Sequence, residues 1–329
     1  MISSNVWTSL RQSLAKEDKG IHSVIISHCN EIQLEEYQFG RGPQDLQKLY
    51  SGTKSICSLA LGIAIEKNAI PLSTPLEDIL SGFDWGTFSP RKSEITLEHV
   101  LNQTTGFKWL ETGRPWGPGH SGYEMENSDN WPEFVLQKEC TSQPGQRFSY
   151  NTGVSHLIGY IIEEISGTHP EKFIAENLFT PLGITSHAWT RDPHHYPQTG
   201  KGLSLKPRDF GKVGQLVLQK GLWAGEQILS EKWIKQSLSP QSKGHQYYGT
   251  YGYQWWLKNI SEGPKPDNDW SKNHNVFCAI GYGGQFLYII PQWELVVSIT
   301  GNLVGAENFE IPQNIFRDDI LKPLYLYFS

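Results

Sequence analysis

The chain has 329 residues, 38% of them hydrophobic and 19% charged, with 12 Trp and 32 Gly. That length can bury a sizeable core, in one large domain or two intimate subdomains. A net charge of −6, a pI near 6.0 and the lack of any Lys/Arg block exclude nucleic acid as the main partner. The opening Met1-Ile2-Ser3-Ser4-Asn5-Val6-Trp7 has neither the basic start nor the apolar stretch of a secretory signal. No apolar run approaches the roughly 18 residues of a membrane span. A cytoplasmic protein without a membrane span is expected, or a periplasmic one if a leader has been removed. Cys29, Cys57, Cys140 and Cys278 are scattered with no metal spacing, so reduced and mostly buried thiols are expected.

In chain order, residues 4–16 read as a short amphipathic helix with Val6, Leu10 and Leu14 on one side. Two strand-like segments follow, Ile21–Cys29 and Ile32–Phe39, joined by a tight turn at Asn30-Glu31. The run Ile56–Glu66 is too long for a strand and reads as a buried helix ending before Pro71. Helical signals then dominate to about residue 220, clearest at Thr96–Leu101, Trp131–Lys138, Val154–Ile165, Glu171–Leu178 and Pro207–Leu218. Strand character returns at Phe286–Ile290 and Leu295–Thr300, a second hairpin, before a last helix at about Pro312–Tyr325. Strands at both ends with helices between predict one antiparallel sheet built from both termini, plus an inserted helical region. There is no internal repeat and no low-complexity segment.

A serine becomes a useful nucleophile only when a base takes its proton. Ser-x-x-Lys at a helix start places the two on one face, and the helix N-terminus offers N–H groups to an oxyanion. The pattern occurs at Ser13–Lys16, Ser51–Lys54 and Ser89–Lys92. Ser13 lies inside a charged surface helix and Ser89 precedes a proline in a polar loop. Only Ser51 directly precedes a long apolar helix. On its own, however, Ser51 reads more readily as a simple helix N-cap than as a nucleophile.

Two further segments add chemistry. Pro144-Gly145-Gln146-Arg147-Phe148-Ser149-Tyr150-Asn151-Thr152 is a turn, an extended piece and a helix start that can hold the Tyr150 hydroxyl rigidly. A tyrosine beside a lysine ammonium is expected to lose its proton more easily, and so to act as base and then acid. Its alternative is an ordinary half-buried tyrosine. Ala279-Ile280-Gly281-Tyr282-Gly283-Gly284-Gln285 clusters glycines before an apolar strand, where backbone can approach a ligand closely. The N–H of Tyr282 would complete an oxyanion hole with that of Ser51; a β-bulge is the alternative. Trp109, Trp116 and Trp131 are candidates for an aromatic cleft wall or for loop anchors.

The three segments in this order resemble the serine β-lactamase and penicillin-binding-protein-like hydrolases, especially class C-type esterases and 6-aminohexanoate-dimer hydrolases. Leu49-Tyr50-Ser51-Gly52-Thr53-Lys54-Ser55-Ile56 is similar to that family's nucleophile segment. Ile95-Thr96-Leu97-Glu98-His99-Val100-Leu101-Asn102-Gln103-Thr104-Thr105-Gly106, Pro181–Ile184, Gly202–Asp209 and Tyr251–Trp256 also have counterparts there, so that the likeness runs from about 20 to 325. It implies an α+β fold, a β-lactamase/transpeptidase-like α/β sandwich with an inserted helical subdomain and the active site between them. The expected division of the single domain is 1–65 with 225–329 for the α/β part and 66–224 for the helical part. The likeness assigns Ser51 as acylated serine, Lys54 as its partner, Tyr150 as proton-transfer tyrosine and Thr152 as third residue of the Tyr-x-Asn element. One departure stands out. Ala279-Ile280-Gly281 replaces Lys-Thr-Gly or His-Thr-Gly, so the cation that would hold a β-lactam carboxylate is missing.

Ser128-Asp129-Asn130 copies a class A β-lactamase motif, but Asn130 before Trp131-Pro132-Glu133 reads as a helix cap. His194-His195 and the remaining histidines show no metal spacing, and there is no G-x-S-x-G elbow or nucleotide-binding glycine motif. The expected activity is that of a serine acyl hydrolase on a small ester or amide, without cofactor or metal, with Thr152, Trp109, Trp116, Gly283, Gly284 and Gln285 near the substrate. The alternatives are a β-lactamase or DD-peptidase-type enzyme, and a non-catalytic binding homologue.

Overall fold

The computed structural model describes residues 4–14, 20–86, 91–258, 276–303, 305 and 310–328. Its strands are β1 (Ile21–His28), β2 (Glu31–Tyr37), β3 (Gln47–Lys48), β4 (His187–Trp189), β5 (Leu203–Leu205), β6 (Leu222–Trp223), β7 (Glu226–Gln227), β8 (Ser242–His245), β9 (Gly249–Tyr251), β10 (Trp256–Lys258), β11 (Val276–Gly281), β12 (Gln285–Ile290) and β13 (Leu295–Gly301). Eight of them form one antiparallel sheet in the order β2-β1-β13-β12-β11-β10-β9-β8, so the N-terminal hairpin pairs directly with the C-terminal one. This is the sheet built from both chain ends that the sequence predicts. The first turn differs by one residue: Cys29 and Asn30, with φ of 50° and 65°, make it rather than Asn30 and Glu31. Two left-handed residues in succession suit the twist of a two-residue hairpin.

The helices are α1 (Ser4–Leu14), α2 (Gly52–Asn68), α3 (Leu76–Ile79), α4 (Leu97–Leu101), α5 (Ser121–Glu126), α6 (Trp131–Leu136), α7 (Thr152–Ser166), α8 (Pro170–Ile174), α9 (Pro207–Leu218), α10 (Glu231–Ser237), α11 (Glu310–Asn314) and α12 (Lys322–Phe328). The predicted last helix is α11, a π-helical stretch and α12 in one run. Alternating residues of β11 divide the core in two. Ala279 faces a cluster shared with α2, α7 and α9, whereas Cys278 and Ile280 face one shared with α1 and α12. The architecture is therefore mixed α+β with the sheet between helical layers. α9 lies within the 66–224 span and packs on β1, β12 and β13. No described helix is long and apolar enough to cross a membrane.

The helix α2 is central because it is mostly apolar and buried on every side. Its residues from Gly52 to Ile65 are buried, against α7 on one side and β11 on the other. Each buried Leu or Ile there contributes about 1.5–3 kcal/mol relative to exposure. Whatever stands at its first turn is consequently held between the sheet and the inserted helices.

Candidate active site

Ser51 stands at that first turn. The preceding Tyr50 has φ +45°, a left-handed conformation that is costly for an aromatic residue, and it swings the chain from β3 into α2. Ser51 occupies the N-cap position but has helical dihedrals, and its hydroxyl makes no capping bond. The simple cap reading is thereby excluded. Its Oγ instead lies 3.0 Å from Lys54 Nζ and acts on the Tyr150 hydroxyl.

Lys54 is 1% exposed, one turn into an apolar helix. Its Nζ meets Thr152 Oγ1 at 3.0 Å and the Gly200 carbonyl at 2.7 Å. Burial lowers its pKa to about 7; the nearby Lys201 cation pushes the same way, while Glu111 and Cys57 oppose. Gly200 can approach this closely only without a side chain, since a Cβ there would fall 2.6 Å from the Thr152 carbonyl.

Tyr150 is fixed from behind. Gln103, buried with φ +61°, accepts the Asn151 N–H at 2.6 Å through its side chain and the Ser149 N–H at 2.9 Å through its carbonyl. Asn151 caps α7 through Val154 N, and the Tyr150 ring stacks on Trp256 with centroids 5.7 Å apart. The expected easing of Tyr150 deprotonation is reversed. Burial pushes its pKa well above the usual tyrosine range and Glu111 adds to this, outweighing the lowering effect of Ser51. Lys54 Nζ lies 4.9 Å from the ring centroid, over its face.

Gly281 ends β11 against the start of α2. A Cβ at this position would lie 2.0 Å from the Leu49 carbonyl and 3.1 Å from Gly52 N, so only glycine brings the strand end beside the nucleophile. The backbone N–H groups of Ser51 and Tyr282 take no hydrogen bond among the described residues. Gly283 and Gly284, with φ of 77° and 93°, complete the turn. Ala279 is fully buried and offers no polar group.

The remaining predicted residues fall in different places. Trp116 is 54% exposed and carries Lys201 Nζ 4.0 Å over its ring, beside Gly200 in sequence. Tyr282 is 51% exposed and meets Tyr50 edge-on. Trp109 is buried in the core and donates its indole N–H to Glu111 at 2.6 Å. Trp131 is buried against His156. Gln285 is buried, its amide donating to the Gly283 and Gly301 carbonyls at 3.0 and 2.7 Å, so it braces the glycine turn from within.

Glu111, Gly200 and Gln103 are site elements that sequence reasoning missed. Glu111 Oε1 accepts the Thr152 hydroxyl at 2.5 Å and Oε2 accepts the Thr152 N–H at 2.9 Å. A lone glutamate in a Gly/Pro-rich loop carries no spacing signal, and neither does a backbone carbonyl. Gln103 lies in the quoted Ile95–Gly106 stretch, which was the available clue. Among the decoys, Ser13 donates to Asp319 at 2.8 Å and Asn130 caps α6 through Glu133 N at 3.2 Å. Lys16, Ser89 and Pro90 lie outside the described residues. The His194 backbone N–H is bound to Asp192. Cys57, Cys140 and Cys278 are buried free thiols and Cys29 is an exposed one.

A sandwich of this topology with a serine at the mouth of its central helix defines a protein of the β-lactamase/transpeptidase-like fold. The chain matches the family described as Beta-lactamase over residues 18–322. It is 20% identical over 297 residues to a 6-aminohexanoate-dimer hydrolase of Paenarthrobacter ureafaciens, covering 85% of this chain and 72% of that one. Among solved structures, EstCE1, a hydrolase with promiscuous acyltransferase activity, superposes with a TM-score of 0.75 at 14% identity, over 96% of this chain and 98% of its own. A family VIII carboxylesterase does so with a TM-score of 0.72 at 15% identity, over 98% and 96%. The chain belongs to the beta-lactamase family, a superfamily of serine hydrolases.

Proposed function

We propose that this chain is an acyl hydrolase, an esterase or amidase, that works through an acyl-enzyme on Ser51. The observation that carries this reading is Lys54: a buried amine with pKa near 7, 3.0 Å from a serine hydroxyl that caps nothing. Near neutral pH the amine takes the Ser51 proton as Oγ bonds to the acyl carbon. The N–H groups of Ser51 and Tyr282 stabilise the oxyanion. Tyr150, which keeps its proton at neutral pH, delivers it as the carbonyl–leaving-group bond breaks and recovers it from Lys54. Water then attacks the acyl-enzyme, giving up a proton by the same route, and Ser51 leaves with one. Trp116, Tyr282, Gly283 and Gly284 border the substrate, whereas Trp109 and Gln285 support the loops beneath it.

Ala279 sets this reading apart from a β-lactamase or DD-peptidase, because no cation is offered to a substrate carboxylate from that position. The name of the Paenarthrobacter relative favours including amides. The intact Ser51, Lys54 and Tyr150 cluster speaks against a binding-only homologue. The test is to incubate the protein with a fluorophosphonate, a short-chain nitrophenyl ester and a chromogenic cephalosporin, and to weigh it intact. A Ser51 adduct with ester turnover and no cephalosporin turnover is expected. Fast cephalosporin cleavage favours the penicillin-recognising alternative, and no adduct with any reagent refutes the enzyme.

A further inference from the structure

A neutral lysine amine has two N–H groups and one lone pair, and its use as a base depends on where each points. Lys54 Nζ touches three oxygens: Ser51 Oγ, Thr152 Oγ1 and the Gly200 carbonyl. The carbonyl only accepts. Thr152 could in principle donate to the amine and capture its lone pair. Glu111 prevents this. Its Oε2 is held by the Trp109 indole N–H and the Thr152 backbone N–H, neither of which can accept, and Oε1 then takes the Thr152 hydroxyl proton. With that proton committed, both N–H groups of Lys54 go to Thr152 and Gly200, and the lone pair is left for Ser51.

We infer that Glu111 is a positioning residue which, through Thr152, aims the Lys54 lone pair at the Ser51 hydroxyl. This rests on the reading of Lys54 as base. The charged and titratable groups around Lys54 are Cys57 on its own helix, Tyr150 before α7, and Glu111 and Lys201 from the loops; Glu126 pairs with Lys201 at 2.5 Å. Of these, Glu111 is the anion that raises the Lys54 pKa against the effect of burial. In Glu111→Gln the amide oxygen stays with the two N–H donors, and the amide NH₂ turns to Thr152. The Thr152 hydroxyl is thereby released toward Lys54.

The test is the second-order rate of Ser51 labelling by a fluorophosphonate on the full chain, followed by intact mass from acid to alkaline pH. In Glu111→Gln the plateau is expected to fall roughly 10- to 100-fold, part of the 10²–10⁴ that a positioned base supplies. Its acid limb should also move to lower pH, because an anion that favoured the ammonium has gone. Thr152→Val should lose a similar factor, and Thr152→Ser should recover most of it. A wild-type plateau in both Glu111→Gln and Thr152→Val overturns the inference. So does a lower Glu111→Gln plateau with an unmoved acid limb, which is the mark of mere packing. Should Glu111→Gln not fold, as judged by near-UV circular dichroism, the Thr152→Val and Thr152→Ser pair decides. Lys54→Met separates the two levels. Wild-type labelling in it overturns the base reading and this inference together, whereas a dead Lys54→Met beside unaffected Glu111 and Thr152 variants overturns the inference alone.

Discussion

Helix α7 carries two buried polar clusters one turn apart, and they solve opposite problems. At Thr152 the helix start meets Lys54 and Glu111, and Lys54 in turn reaches the Ser51 hydroxyl. At His156 it meets Asp192, whose side chain has no exposure and accepts His156 Nε2 at 3.0 Å, the Tyr160 hydroxyl and the His194 and Tyr196 N–H groups. Burial alone would raise the Asp192 pKa, yet the bonds from His156 and Tyr160 hold it below the usual carboxylate range. Both Asp192 oxygens are fully bonded, although His156 Nδ1 is buried without a partner among the described residues, and the carboxylate ties the 191–200 loop to α7. The third partner of Lys54 is instead a serine hydroxyl, beside N–H groups of Ser51 and Tyr282 that donate no bond among the described residues. A buried carboxylate with every lone pair bonded makes structure, whereas a buried amine with its lone pair toward a serine hydroxyl can make chemistry.

The comparison breaks most sharply at the nucleophile. Ser51→Ala should reduce ester turnover by roughly 10⁶ while leaving thermal stability almost unchanged, because the hydroxyl caps nothing. A melting temperature that falls steeply would show Ser51 to be structural after all. Lys54→Met should lose about 10²–10⁴ in labelling rate but unfold no more easily than the parent in denaturant, since an apolar chain replaces a buried amine. The pH dependence follows. With a folded pKa near 7, below the free-lysine range, the unfolded chain binds the extra proton between the two values. Stability attributable to Lys54 therefore rises with pH through that window, and the rise should vanish in Lys54→Met. Activity should climb through about pH 7 as the amine loses its proton.

Gly281→Ala should cost about 10²–10³ in acylation, because its Cβ meets the Leu49 carbonyl and displaces the Tyr282 N–H. Unchanged kinetics would remove that N–H from the oxyanion hole. In the Asp192 cluster the effect moves from rate to stability. Asp192→Asn should destabilise the fold by about 3–5 kcal/mol in urea unfolding, with its main effect on stability rather than on the Lys54-dependent acid limb. As a depressed carboxyl, Asp192 contributes stability above the ordinary carboxylate range and loses it as pH falls through its folded value. Asn130→Ala, in neither cluster, should cost about 1 kcal/mol of stability and no activity.

Periodicity and patterning carried most of the architecture. The apolar run after Ser51 could only be a buried helix, and strand signals at both ends required a sheet closed by the termini. Pro207–Leu218 matches α9 because a proline start and an apolar stripe are local signals. The hairpin turn slipped by one residue because left-handed backbone is poorly encoded in a Cys-Asn pair. Segment chemistry was also legible: Ser51 with Lys54, Tyr150 before a helix, and glycines after Ala279. Tertiary structure alone decided how those groups behave. The depth of Lys54 in the sandwich makes it a neutral-pH amine, and the same burial keeps the proton on Tyr150, against the sequence expectation. Glu111, Gly200 and Gln103 act through single hydrogen bonds to residues distant in the chain, and such bonds leave no period or spacing to read. Sequence names the groups that can react; the distances and dielectric around them exist only once the chain has folded.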